Sequence, residues 1–82
     1  PARSSDEITI GFTLPSSAAE VSIELLDING RSVAFLLKEK MYAPGRHLIR
    51  TSLPSGVSTG SYVYRMTTSN GVSMSKLLEI VR

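Results

Sequence analysis

The sequence has no cysteine, no tryptophan and a single histidine among its 82 residues. Without cysteine there is neither a disulfide nor a thiolate metal site, so the fold depends on packing alone. No Cys, Asp or Glu stands near His47 at metal-ligand spacing, and we interpret it as a half-buried strand residue rather than a general base. Serine is abundant, and Ser58 fits a Gly-x-Ser-x-Gly pattern at 56–60, but it lies in a predicted loop with no following helix, whereas a nucleophile elbow needs a strand-to-helix turn. We therefore expect no enzyme activity and no cofactor.

Long apolar runs are missing too. No stretch approaches the roughly 20 residues that a membrane-spanning helix needs. The chain starts at Pro1 with no signal peptide, so we interpret it as one C-terminal domain, residues 1–82, of a longer protein. Residues 1–6 would be the linker from an upstream cargo domain. The net charge is +2 and the nine Lys and Arg are scattered, which disfavours nucleic-acid binding because such proteins concentrate cations on one face.

What the sequence does contain is alternation of apolar and polar residues with a period of two, and no helical stripe competes with it. Turn residues such as Pro, Gly and Asn separate the alternating segments. The strands predicted in this way cover about 7–14, 21–26, 33–37, 47–52, 61–68 and 72–81. Six strands with tight turns and no helix are typical of a small antiparallel β-sandwich.

The turn between the second and third segments is compatible with two loops. A two-residue Asn-Gly loop pairs Leu25 with Ala34, whereas a three-residue loop, opened by Asp27 and with Gly30 in a left-handed bulge, pairs Leu25 with Val33. We prefer the second loop, which requires a positive φ at Gly30, because register follows the buried face. It makes every pair on that face apolar, namely Leu25 with Val33, Ile23 with Phe35 and Val21 with Leu37.

Two further turns are expected at residues 43–45 and 69–71, where glycine can supply a positive φ. Calcium-type ligation at Asp27 is disfavoured because the further acidic ligands are missing. Asp27 is instead expected to cap its own turn. The predicted structural turn residues are Asp27, Asn29, Gly30, Gly45 and Gly71.

Tyr62 and Tyr64 lie on one face of the fifth segment and have two interpretations. Together with Tyr42 they could form a platform on which a sugar stacks. Because the same face continues to Met66, we favour a role in the core.

Five blocks follow one another along these segments: ITIGFTLP at 8–15, VSIELLDINGRSV at 21–33, APGRH at 43–47, GSYVYRM at 60–66 and KLLEIVR at 76–82. In order and spacing they resemble the TIxFxLP, VxLxIYDxxGRxV, xxGxH, GxYxYRL and KxxxxxK blocks of the C-terminal sorting domains of the type IX secretion system. The resemblance covers nearly the whole chain.

The resemblance implies an immunoglobulin-like antiparallel β-sandwich of six to seven strands, which acts as a non-catalytic signal on exported proteins of Bacteroidetes. It implies a route through the periplasm and outer membrane to the cell surface or the medium. The partners would be an outer-membrane translocon and a sortase-like peptidase, which removes the domain and attaches the cargo to a surface lipopolysaccharide. The residues that it assigns to translocon recognition are Gly60, Tyr62, Lys76, Leu77, Leu78, Ile80, Val81 and Arg82.

Two other functions remain open from the sequence. One is a structural module similar to the immunoglobulin-like domain of the flagellar hook-capping protein, which shares a YDxxGxxV hairpin. The other is an accessory carbohydrate-binding module, which would need exposed coplanar aromatic rings.

Overall fold

A computed structural model describes residues 7–15 and 17–81 of the chain. The predicted linker at 1–6 and the predicted recognition residue Arg82 lie outside the described residues. The strands are β1 (Glu7–Leu14), β2 (Ala19–Asp27), β3 (Ser32–Tyr42), β4 (Gly45–Ser52), β5 (Gly60–Thr68) and β6 (Ser73–Ile80). All six strands expected from the alternation are present.

The six strands form two antiparallel sheets, one of β1 and β4 and the other in the order β3-β2-β5-β6. β1 and β4 pair without interruption from Glu7 opposite Ser52 to Leu14 opposite Gly45. The apolar faces of the two sheets pack together, as the alternation requires of half-buried antiparallel strands. The predicted small antiparallel β-sandwich is confirmed.

Buried side chains between the sheets form two clusters, both of which Ile8 and Leu36 contact. The first cluster consists of Ile10, Phe12, Leu14, Ala19, Val21, Ile23 and Met66. The second consists of Leu25, Leu53, Val57, Tyr62 and Ile80. None of the described buried residues is charged, so burial of apolar area is what stabilises the core.

The loop between β4 and β5 contributes to the core, which its Pro, Ser and Gly content did not predict. Leu53 and Val57 are buried, and the Val57 amide donates to the carbonyl of Pro54 at 3.1 Å. This turn directs both apolar side chains of the loop into the second cluster.

The hairpin between β2 and β3 has the three-residue loop. Gly30 has a φ of +87°, and its amide donates to the Asp27 carbonyl at 3.0 Å. The Asp27 amide donates to the carbonyl of Arg31 at 2.9 Å. Oδ1 of Asp27 accepts from the amides of Asn29 and Arg31, both at 2.9 Å. The aspartate therefore caps its own turn. The positive φ at Gly30, the fourth residue of the turn, is one that glycine adopts without steric cost.

The strand pairs predicted from this loop are nevertheless wrong. Leu25 lies opposite Ala34, Ile23 opposite Leu37 and Val21 opposite Lys40. Three register shifts interrupt the β2–β3 ladder, and each gives β3 more residues than β2. A bulge redirects the side chains that follow it.

Val33 and Phe35, which were expected to face the core, are 41% and 51% exposed as a result of these shifts. Glu39 lies in the register shift opposite Val21 and Ile23. Its φ is +51°, and its amide donates to Oγ of Ser22 at 3.0 Å.

Candidate functional site

β6 lies at one margin of the four-stranded sheet. It pairs with β5 in unbroken register from Ser73 opposite Thr67 to Ile80 opposite Gly60. No other described strand pairs with it, so its outer edge is open.

The backbone groups on this open edge follow from the hairpin that joins β5 and β6. The Thr68 amide donates to the carbonyl of Val72 at 3.0 Å, so this is a hydrogen-bonded pair. Because hydrogen-bonded and non-hydrogen-bonded pairs alternate in an antiparallel ladder, every second residue of β6 bonds to β5. The residues that turn their N–H and C=O groups outward are Ser73, Ser75, Leu77 and Glu79.

The side chains of β6 divide between two faces. Ile80 is only 2% exposed and belongs to the second core cluster, against which half-buried Leu78 also packs. On the opposite face Leu77 is 68% exposed, and Val81, just after the strand, is 76% exposed. Lys76 is exposed too, although it lies on the same face as Ile80. Of the terminal residues assigned to recognition and described by the structure, three present their side chains to solvent and two hold the strand to the core.

The other two residues assigned to recognition lie on β5, which pairs with β2 on one side and with β6 on the other. Tyr62 is buried, and its hydroxyl donates to the carbonyl of Ser58 at 2.9 Å. A Cβ added to Gly60 would lie 3.7 Å from Cε2 of Tyr62, an ordinary van der Waals distance, and Gly60 has no positive φ. The local structure therefore explains Tyr62 as a core residue and gives no steric reason for a glycine at position 60.

The outer face of the sheet carries an apolar row that ends at Leu77. Leu77 lies opposite Val63, and Val63 lies opposite Leu26 on β2. Leu26 alternates with the core residue Leu25 and so lies on the outer face, yet it is buried and belongs to neither core cluster. Polar contacts flank the row, namely the Ser61–Glu79 hydrogen bond and the Glu24–Arg65 ion pair at 3.7 Å.

A cleft of about 370 Å³ opens between β1 and β6. Outward-facing residues of β1 and its partner β4 form one wall, and β5 and β6 form the other. The lining residues include Gly11, Arg46, Leu48, Met74 and Lys76. Two of them are cations, and no acidic residue lines the cleft.

The sequence model of a secretion system C-terminal sorting domain matches residues 1–80, which include all six strands. The chain belongs to this family. No curated protein and no solved structure matches it. The resemblance to type IX sorting domains is thus confirmed, and the domain is a sorting signal that implies a type IX secretion system, an upstream cargo and export to the surface or medium.

The described part of this sorting domain offers no constellation for metal or sugar chemistry. No three His, Cys, Asp or Glu side chains among residues 7–15 and 17–81 could together hold a metal ion. Nε2 of half-buried His47 lies 2.7 Å from the carbonyl oxygen of Ala43, and its ring contacts Phe12 and Tyr42. Tyr42, Tyr62 and Tyr64 are all at least half-buried, so they form no exposed platform. Residues 7–15 and 17–81 contain no helix long and apolar enough to cross a membrane.

Sequence reasoning missed the sorting domain's cleft. Arg46 and Leu48 lie on the solvated face of β4, and the alternation does not distinguish them from ordinary surface residues. Their position beside Lys76 depends on how far the two sheets overlap. No spacing along the chain carries that information.

Proposed function

We propose that this sorting domain is a non-catalytic signal that directs an exported protein through the outer membrane, and that the type IX translocon recognises the edge of β6. The recognised element would comprise residues 76–81 together with Arg82. The observation that carries the proposal is the unbroken, open edge of β6, which presents unpaired backbone groups beside exposed side chains.

An open strand edge can bind a receptor by strand addition, in which main-chain hydrogen bonds supply affinity and alternate side chains supply specificity. The outward N–H and C=O groups of Ser75, Leu77 and Glu79 would supply the main-chain bonds. The side chains of Lys76, Leu77 and Val81 are exposed and can be read from either face.

The buried residues would act indirectly. Tyr62, Leu78 and Ile80 pack in or against the second core cluster and so fix the position of β6. A strand whose edge is already ordered loses less conformational entropy on binding than a flexible tail would. Gly60 stands opposite Ile80, and since the fold does not require glycine there, we assign it to recognition.

We also propose that a sortase-like peptidase removes the domain after export and anchors the cargo at the cell surface. Cleavage would fall near Pro1 or before it. Membership of the sorting-domain family supports this step.

The direct test fuses residues 1–82 to a reporter in a type IX-competent bacterium. We expect the reporter at the cell surface or in the medium, by fractionation and protease accessibility. A reporter that stays in the periplasm while a known type IX signal exports it would contradict the proposal.

A second test separates recognition from folding. Deleting residues 77–82 also removes buried Ile80, so loss of export in that variant would not distinguish the two. Leu77→Pro removes an outward donor without breaking the ladder to β5, a position at which proline is tolerated. Leu77→Ala loses the same side chain but keeps the donor. We expect export to fall further for Leu77→Pro than for Leu77→Ala, with both still folded by circular dichroism. Equal export of the two variants would rule out strand addition at this edge.

A further inference from the structure

The two layers of the sandwich differ in width. One has four strands and the other has two, and the narrow layer ends at β1. On the inner face of β6, Met74 is 45% exposed and Lys76 is exposed, because no described strand lies over them. Only the wide layer extends this far, so one strand position beside β1 is unfilled among the described residues.

The cleft between β1 and β6 is this position. Its volume of about 370 Å³ lies within the range of protein sites that hold ligands. β1 pairs with β4 alone among the described strands, so its second edge faces the cleft with unpaired backbone groups. A strand bound there would lie about 4.8 Å from β1 and would cover Met74.

The charge of the cleft indicates what such a strand carries. On the outward face of β4, Arg50 has a carboxylate partner within the chain, Glu7, at 2.7 Å. Arg46 on the same face forms no ion pair with a described residue, and neither does Lys76 across the cleft. Two cations without an acidic neighbour favour a carboxylate from outside the chain.

The apolar wall of the cleft depends on a glycine. Leu48 is 67% exposed, and its Cδ2 would lie 3.1 Å from a Cβ at Gly11. Because Gly11 has no side chain, Leu48 can lie across β1 and offer an apolar surface beside Arg46.

We infer that the cleft between β1 and β6 binds an extended segment of the translocation machinery that carries an acidic side chain. The segment adds to β1 as a third strand and places its carboxylate against Arg46 and Lys76. This inference rests on the proposed function and names the chemistry of the partner. It assigns recognition to a second surface besides the outer edge of β6.

The first experiment reverses the two cleft charges in the exported fusion, as Arg46→Glu with Lys76→Glu. The matched control, Arg31→Glu with Lys38→Glu, changes the net charge equally on the opposite side of the sheet. Thermal unfolding of the purified 82-residue chain checks that both are folded. Losing two charge-assisted contacts should reduce export at least about tenfold, whereas the control should stay within about threefold of wild type.

The second experiment identifies the occupant. A photo-crosslinking benzoylphenylalanine replaces Leu48 in the cleft or, as control, exposed Ile28 at the β2–β3 turn. Mass spectrometry of the crosslinked peptide should show, for position 48 alone, an outer-membrane secretion component with an Asp or Glu within a few residues of the crosslink. A crosslink to residues of the fusion itself, or to a second copy, would overturn the inference.

The outcomes separate the inference from the function on which it rests. If the wild-type fusion is exported and the cleft variant is exported equally well, the cleft inference and the recognition role of the Lys76 side chain fail, while the sorting function and strand addition at β6 stand. If the wild-type fusion is not exported at all, the proposed function fails and the cleft inference fails with it.

Discussion

The two margins of the four-stranded sheet are built in opposite ways. β3, at one margin, is the longest strand, and three register shifts interrupt its pairing with β2. Lys38 lies 5.3 Å from the ring centroid of Phe35 and Lys40 lies 5.7 Å from that of Tyr42. β6, at the other margin, has eight residues in unbroken register with β5.

Bulges and lysines are the devices by which proteins keep edge strands from pairing with other chains. β3 has both. β6 has a lysine, but it points to the cleft rather than across the open edge, and the strand has no bulge. Only one margin of this sheet is protected in this way, and the unprotected margin carries the terminal block at 76–82 from which recognition residues were predicted.

The largest effect is expected on the free energy of unfolding, when a side chain that anchors each margin to the core is truncated. Ile80→Ala should cost about 2–5 kcal/mol, because it removes a fully buried side chain from the second cluster. Phe35→Ala on β3 should cost less than about 1 kcal/mol, because half of that ring is already in water. Urea unfolding of the purified chain measures both. Similar costs would show that β3 is anchored as firmly as β6.

A smaller effect tests the bulge that protects β3. Glu39→Gly relieves a left-handed conformation that costs a non-glycine residue about 1–2 kcal/mol. Part of the gain is lost because glycine is more flexible in the unfolded chain. We expect stability to rise by up to about 1 kcal/mol in the same urea experiment, with export unchanged. A loss of stability would mean that the glutamate side chain itself holds the bulge.

The smallest effect concerns the β5 residue that faces the end of β6. Gly60→Ala should change stability by less than about 1 kcal/mol, since the added methyl meets Tyr62 at 3.7 Å and the φ is not positive. If Gly60 serves recognition, export should fall while the unfolding curve stays in place. Unchanged export would remove Gly60 from the recognised surface.

The sequence predicted all six strands because their segments show a period of two and are bounded by turn residues, as half-buried strands are. It also predicted the loop at Gly30, where turn chemistry is local. It did not predict the register beyond that loop. Leu36 and Leu37 are adjacent, and both are half-buried in the bulged strand, so no simple alternation identifies the inward face there.

Only part of the candidate site could be predicted from the sequence, because local patterns do not show how strands and sheets meet. The closing block pointed to β6, but the opposite burial of Leu77 and Ile80 depends on which face meets the second cluster. Arg46 and Lys76 lie on different sheets and about 30 positions apart in the sequence. Their proximity follows from the unequal widths of the layers, which no local pattern encodes.

The separation of β1 and β6 into different sheets has a mechanical consequence. No ladder joins these two strands among the described residues, so traction between them does not shear a shared set of hydrogen bonds. A load that pulled Ile80 away from Gly60 would separate β6 from β5 one pair at a time, toward the turn at residues 69–71. Sequential rupture needs far less force than simultaneous rupture. Under such a load the β5–β6 hairpin would open over a series of small barriers instead of one large one.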